Sequence, residues 1–330
     1  MEEAYEGRLA IIIISACGVI SNTVLLTMIF KSHVLRNYDN YFSIGQLISD
    51  LLLSITLFVS FSLTLKDSLF LQDHSNCQIN GFLVNFLSLV PLFFACSIPT
   101  SAYRIIVKGN LALTFNQTML RIGLILFSSV VVAAIPMICD IHFTIQDNQG
   151  YCFHDFHSSS VNHNLSIIST GIAFGLPIVA VAYVYYSIWK QLHNTIHAAS
   201  FILNYTLQIT VARRGLLVIM VYLVGYAFPL TCCIYKGLTK NTMSLWVENV
   251  IISLVTGHAC VNPLVYYMAE PRLRRSKSNR QLRNNQVAPA NRQINTTTTD
   301  DKEPLVHPFY KKVRQVRTIH DISNDLSNNL

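Results

Sequence analysis

Seven uncharged, largely apolar runs follow one another along the chain: Leu9–Phe30, Tyr41–Leu65 (interrupted by Asp50), Ile79–Val107 (ending over Arg104), Ile122–Ile138, Leu165–Trp189, Gly215–Tyr235 and Asn249–Met268. Each is near the roughly 20 residues a helix needs to cross the hydrocarbon of a bilayer. In lipid every backbone N–H and C=O must find its partner inside the chain, so runs of this length have to be helices. The predicted fold is therefore an all-α membrane protein, a seven-transmembrane helix bundle. Composition agrees where it discriminates: only 12% of residues are charged, against about a quarter in soluble domains. The first run is too long, and too poor in a following small-residue cleavage site, for a signal peptide.

Charge sets the expected orientation. Residues 271–330 hold twelve basic and five acidic residues, which equals the whole chain's net +7 and leaves the rest neutral. With the C-terminus inside, the cytoplasmic segments also carry Lys31, Arg36, Arg104, Lys108, Arg121, Lys190, Arg213 and Arg214, against Arg8, Lys66, Lys236 and Lys240 outside. The positive-inside rule thus puts the N-terminus outside the cell and the basic tail at the cytoplasmic leaflet of the plasma membrane. A basic tail without aromatic stacking platforms gives no support to nucleic acid as a partner; the bilayer is the expected one.

Connections between runs are short, so residues 1–270 read as one transmembrane domain. Residues 271–283 suit a short cytoplasmic helix after span seven, and residues 284–330, rich in Asn, Gln, Thr and Ser, read as a disordered tail. No repeat is visible, and no pair of interrupted helices recurs in two halves as in many transporters. Cys77 and Cys152 both fall in outward positions, where disulfides persist. A bridge between them would pin the longest outer loop over the bundle, with Cys139 as rival partner. Asn164-Leu-Ser is a glycosylation sequon on the same side. His154-Asp-Phe-His157 lacks further ligands at fixed spacing and reads as solvated loop rather than a metal site.

Ionisable groups inside hydrocarbon are costly and point to function. Asp50 lies ten residues beyond Asn40, about 15 Å into the membrane at 1.5 Å per residue. Asn22 and Asn262 lie at comparable depth, so the three can share hydrogen bonds or a cation. In span seven, Pro263 removes a backbone donor and creates a bend, and Arg272, Arg274 and Arg275 then stop the span.

Taken in order, GVISN (Gly18–Asn22), NYF…LISDL (Asn40–Leu51), Cys77 with Cys152, SAYR (Ser101–Arg104), FGLP (Phe174–Pro177) with Tyr185, Phe228-Pro229, and NPLVY (Asn262–Tyr266) followed by PRLRR resemble the landmarks of rhodopsin-like G-protein-coupled receptors. The resemblance covers about residues 9–275, though span four lacks the family's usual tryptophan. It implies a non-enzymatic receptor coupled to a heterotrimeric G protein, with arrestin and a receptor kinase as further partners. Asn22, Asp50, Asn262, Pro263 and Tyr266 then form an activation network, while Arg104, Tyr185, Arg213 and Arg214 meet the G protein. Pro177, Pro229 and Pro263 resemble the family's kinks. Ser276, Ser278, Thr296, Thr297, Thr298 and Thr299 become candidate phosphorylation sites.

Departures from the pattern change what is expected. A sodium ion at Asp50 is implied by the family, but no span-three serine is clearly placed for it and His258 stands where an Asn is common. Tyr103 replaces the acid that usually restrains the arginine, which implies signalling without ligand. Tyr226-Ala-Phe228-Pro229 lacks the usual tryptophan switch, leaving Tyr226 or Phe228 to serve. Cys77 to Arg104 is two residues longer than usual, with Pro91 and Pro99 between, which suggests a bulge in span three. Near the pocket stand Val84, Asn85 and Phe86, with no Asp for an amine, and Thr256 where an opsin holds its retinal lysine. Trp246 and Glu248 are expected at the entrance. The ligand is then a small molecule, lipid or short peptide. The rivals are a transporter or channel using Asp50, and an enzyme, for which HExxH, GxSxG and GxxxxGK motifs are all missing.

Overall fold

The computed structural model describes residues 2–31, 40–66, 70–108, 113–138, 143–145, 150–154, 161–196, 217, 220–239 and 244–269. One compact unit covers Met1–Gln281; of the second, Leu282–Leu330, no residue is among those described. The expectations for residues 271–283 and 284–330, and for Cys139, Arg213, Arg214, Ser276, Ser278, Thr296, Thr297, Thr298 and Thr299, lie outside the described residues.

Among the described residues six helices are long and apolar enough to cross a membrane. They are α1 (Glu2–Lys31), α2 (Tyr41–Lys66), α3 (His74–Ile106), α4 (Phe115–Ile138), α5 (Val161–Ile196) and α7 (Leu245–Ala269). Between α5 and α7 a shorter apolar helix, Met220–Cys232, contains a π-helical turn, Leu223–Ala227, that runs into α6 (Phe228–Thr239).

Two helices, α3 and α4, begin before their uncharged runs, at capping residues. At the start of α4, Thr114 Oγ1 accepts from Gln117 N and Gln117 Oε1 accepts from Thr114 N, both at 3.4 Å, a reciprocal capping box. The helix therefore begins seven residues before the run that starts at Ile122, and Arg121 lies inside it. Asp73 caps α3 through its side chain, accepting from Asn76 N at 3.0 Å.

The bulge expected in span three is absent: α3 holds Pro91 and Pro99 within one α-helix. The widened turn occurs instead in the sixth helix, directly before Pro229. Proline lacks a donor and crowds the carbonyl four residues back. Here that carbonyl belongs to Gly225, inside the π turn, where the longer register relieves the crowding.

Central α3 packs on α2, α4 and α5, while α1 packs on α2 and α7 and α6 packs on α5 and α7. Close approach of α1 to α2 depends on Gly18, where an added Cβ would lie 2.5 Å from Ser54 Oγ. The outward side chains are apolar, with Ile20, Leu120, Phe127, Val179 and Tyr183 all more than half exposed, as a lipid-facing surface requires.

The segment between α4 and α5 adds an element that the all-α reading did not contain. Strands β1 (Phe143–Ile145) and β2 (Cys152–His154) pair antiparallel, Ile145 opposite Cys152. The Cys77–Cys152 disulfide, with Cα atoms 5.4 Å apart, ties β2 to the first turn of α3 and settles the choice against Cys139. Gln78 clamps the strand edge, its Nε2 donating to Phe143 O at 2.9 Å and its Oε1 accepting from Phe143 N at 3.3 Å.

Substituting Gly18→Val should force α1 from α2 and lower stability by about 1–3 kcal/mol, seen as a lower melting temperature of the purified protein. Gly123→Val, where nothing stands within 4 Å of an added Cβ, should leave the melt unchanged.

Candidate functional site

The polar residues buried in the apolar runs converge at the middle of the bundle. Asp50 of α2, Asn22 of α1, and Asn262 and His258 of α7 are all buried. Asn262 lies one turn beyond His258 on the same face of α7, so its amide reaches both the neighbouring helix and its own. Its Nδ2 donates to Asp50 Oδ2 at 2.8 Å and stands 3.1 Å from His258 Nε2. With Nδ2 as donor to both, His258 accepts through Nε2 and carries its proton on Nδ1. Asn22 joins differently from the expected three-way sharing. Its Nδ2 donates to the carbonyls of Gly18, at 2.8 Å, and Ala259, at 2.9 Å, so it ties α1 to the α7 backbone rather than to Asp50.

Of a second layer the sequence had marked Tyr226 but not Tyr222 or Gln46. Tyr222 and Tyr226, four residues apart on one helix face, stack at 5.6 Å between ring centroids. Each meets the His258 ring edge-on, at 4.3 and 4.8 Å respectively. Their hydroxyls reach α3: Tyr222 donates to Pro91 O at 2.8 Å and Tyr226 to Ser88 O at 3.3 Å. Gln46, one turn from Asp50 on α2, donates its Nε2 to Tyr222 Oη at 3.0 Å. The chain of contacts thus links α2, α3, the sixth helix and α7 through Asp50, Asn262, His258, Tyr222 and Gln46. A polar Gln within an uncharged run, four residues before Asp50, was the available signal for this layer.

The remaining expected residues divide. Tyr226 is in the core at 3% exposure while Phe228 faces outward at 46%, so Tyr226 alone of the two can act as a buried switch. The reason is helix geometry: two residues apart, the side chains of 226 and 228 point to roughly opposite sides. Trp246 is 71% exposed in the first turn of α7, and Glu248 and Asn85 with Phe86 are half-buried. Pro177, Pro229 and Pro263 are buried within their helices. Tyr266 is buried and its hydroxyl donates to Asn40 Oδ1 at 3.4 Å, joining α7 to the start of α2. Tyr185 is half-buried in α5, and Asn164 falls in the first turn of that helix. Arg104 is half-buried in the last turn of α3. Among the described residues no acid pairs with it; the neighbouring charge is Arg121 of α4.

Asp50 Oδ1 and Asn22 Oδ1 are buried acceptors without a donor among the described residues, the kind of oxygen that suits a cation. The α3 hydroxyls of Ser88 and Ser97 donate to Val84 O and Phe93 O of their own helix, and His258 offers nitrogen in place of oxygen.

A family model described as 7 transmembrane receptor (rhodopsin family) matches residues 21–266. Melanopsin-B of Xenopus laevis is 21% identical, over 80% of this chain and 52% of its own length. The Neuropeptide F receptor of Drosophila melanogaster is 24% identical, over 76% of this chain and 56% of its own. The chain thus spans about half the length of these curated relatives. The crystal structure of squid rhodopsin superposes with a TM-score of 0.70 at 16% identity, covering 84% of each chain.

Removing the Tyr222 hydroxyl strands the buried Gln46 amide, so Tyr222→Phe should destabilise by about 1–3 kcal/mol. Adding Gln46→Leu should recover part of that loss, and a double-mutant cycle of melting temperatures measures the coupling.

Proposed function

Because the chain belongs to the rhodopsin family of seven-transmembrane receptors, we propose that it transmits the binding of an extracellular ligand to a heterotrimeric G protein by rearranging its helices. The ligand enters at the hairpin end, and the transducer docks at the end bearing Arg104, with Tyr185, Arg213 and Arg214 contributing. This orientation follows the basic residues, with the N-terminus extracellular and the C-terminus cytoplasmic in the plasma membrane. Arrestin and a receptor kinase act on the tail sites, and Asn164 carries glycan.

The observation that carries the reading is the position of Asn262. Its one amide nitrogen serves both Asp50 and His258, and the next residue is Pro263, where the α7 ladder is weakened. The His258 ring is held by Tyr222 and Tyr226 on the sixth helix. A shift of the π turn therefore changes the packing of His258, and with it the bonds made just before the α7 bend. Such an element has two arrangements, and a ligand that prefers one moves the population. Sodium has no part in this reading.

Chemistry narrows the ligand modestly. A retinal Schiff base needs a lysine, and α7 contains none; Thr256 spends its hydroxyl on Ile252 O at 2.7 Å. The relatives' names include a neuropeptide and octopamine, so they support the receptor class without choosing among small molecules, lipids and short peptides.

With Tyr103 in place of an acid, no acid among the described residues restrains Arg104, and the receptor signals without ligand. An ion pair worth about 1 kcal/mol would shift the resting population about fivefold. Cells expressing the wild type should therefore show several times the basal G-protein activity of Tyr103→Asp cells at matched surface level, and Arg104→Ala should abolish it. Equal activity of wild type and Tyr103→Asp refutes the unrestrained arginine. Asp50-dependent ion flux in proteoliposomes, without nucleotide exchange, would favour the transporter instead.

A further inference from the structure

We propose that Cys17 of α1 and Cys260 of α7 are a dithiol that closes to a disulfide in the lipid-facing seam between the two helices, fastening α1 to α7 just before the Asn262-Pro263 bend. The backbones already meet there. A Cβ added at Gly18, the residue after Cys17, would stand 3.9 Å from Cys260 Cα. Ser21 Oγ donates to Cys260 O at 3.4 Å and to Gly18 O at 3.2 Å, and Asn22 Nδ2 donates to the preceding carbonyl, Ala259 O, at 2.9 Å. Cys17 precedes Ser21 by one turn, so the two side chains are neighbours on one face of α1. The Cys260 thiol shares a hydrogen bond with that same Ser21 side chain and lies within electrostatic range of the Cys17 thiol. A disulfide needs backbones this near, its Cα atoms usually standing about 4.4–6.8 Å apart, with side chains turned toward one another.

Surroundings decide which oxidant can act. Among the described residues the free thiols are Cys17, Cys96, Cys232 and Cys260. Cys96 of α3 turns to Pro177 O of α5 at 3.5 Å, and Cys232 is on α6. Cys17 is exposed and Cys260 half-buried. The surface beside them is apolar, with Ile13, Ile20 and Leu264 all more than half exposed. Charged aqueous thiols such as glutathione do not enter hydrocarbon, whereas an apolar hydroperoxide does. The Cys17 sulfur attacks the outer oxygen of the peroxide, the O–O bond breaks, and the alcohol leaves with the thiol hydrogen. The Cys260 sulfur then attacks the sulfenic acid on Cys17, forming S–S and releasing water that carries the second thiol hydrogen. The two sulfurs together lose two electrons and the peroxide gains them. Bridged in this way, α7 is held to α1 two residues before Asn262, and the segment beyond Pro263 moves against a fixed stem.

An effect of the bridge on signalling rests on the receptor reading; formation of the bridge does not. Purified full-length protein in phosphatidylcholine vesicles is treated with cumene hydroperoxide, quenched, dissolved in detergent with a maleimide and digested without reductant. Mass spectrometry should find the Cys17 and Cys260 peptides joined, lighter than their sum by two hydrogens, with maleimide labelling lost at both positions together. Dithiothreitol added in detergent should restore both labels. In Cys17→Ser protein the joined peptide should be absent and Cys260 should stay labelled. Both wild-type thiols still labelled after treatment, Cys17 joined to a second molecule, or loss of the Cys260 label in Cys17→Ser as in wild type would each overturn the proposal. Where the variant does not accumulate, the wild-type peptide map is decisive by itself. No G protein enters the measurement, so failure of the bridge and failure of the receptor reading are distinguishable.

Discussion

A carboxyl group buried in the middle of an apolar bundle needs a hydrogen-bond donor, and Asp50 has one in Asn262 at 2.8 Å. The desolvation of such a group is far larger than any single contact elsewhere in the bundle, so the arrangement of α2 against α7 is tied to this pair. Asn22 fastens α1 to the same stretch of α7 through Ala259 O. Gly18 allows α1 to come close enough for it to do so. Three helices thus meet at one level because three polar side chains have no water there to turn to.

Prolines supply the other half of the architecture. Pro91 lies where the tyrosines of the sixth helix reach α3, Tyr222 donating to Pro91 O and Tyr226 to Ser88 O. Pro229 is accommodated by the π turn before it, and that turn sets both tyrosines on the face of His258. The bundle is therefore held together across the sixth helix by aromatic packing and hydroxyl bonds rather than by the missing tryptophan.

The spans, the bonded cysteines and the membership of Asp50 and Asn262 in one cluster were legible in the chain, since each depends on hydropathy, compartment or depth. Helix ends were less so: the capping box at Thr114 and Gln117 overrides the charge of Arg121. Asn22 was correctly placed in depth, but its partners are carbonyls, which every residue possesses and no pattern advertises. Phe228 points outward because it follows the buried Tyr226 by two residues, roughly half a turn around the same helix.

Hydrophobic length and the cost of unpaired backbone in lipid determined, from the sequence by itself, that this chain crosses the membrane as helices and buries one acid among amides. Tertiary structure alone decided which atoms satisfy that acid, which tyrosine faces the core, and that a residue of the hairpin segment, Tyr151, lies within the bundle. The difference is physical: burial follows from composition averaged over many residues, whereas hydrogen-bond choice and ring orientation turn on ångström-scale approach between segments far apart in the chain.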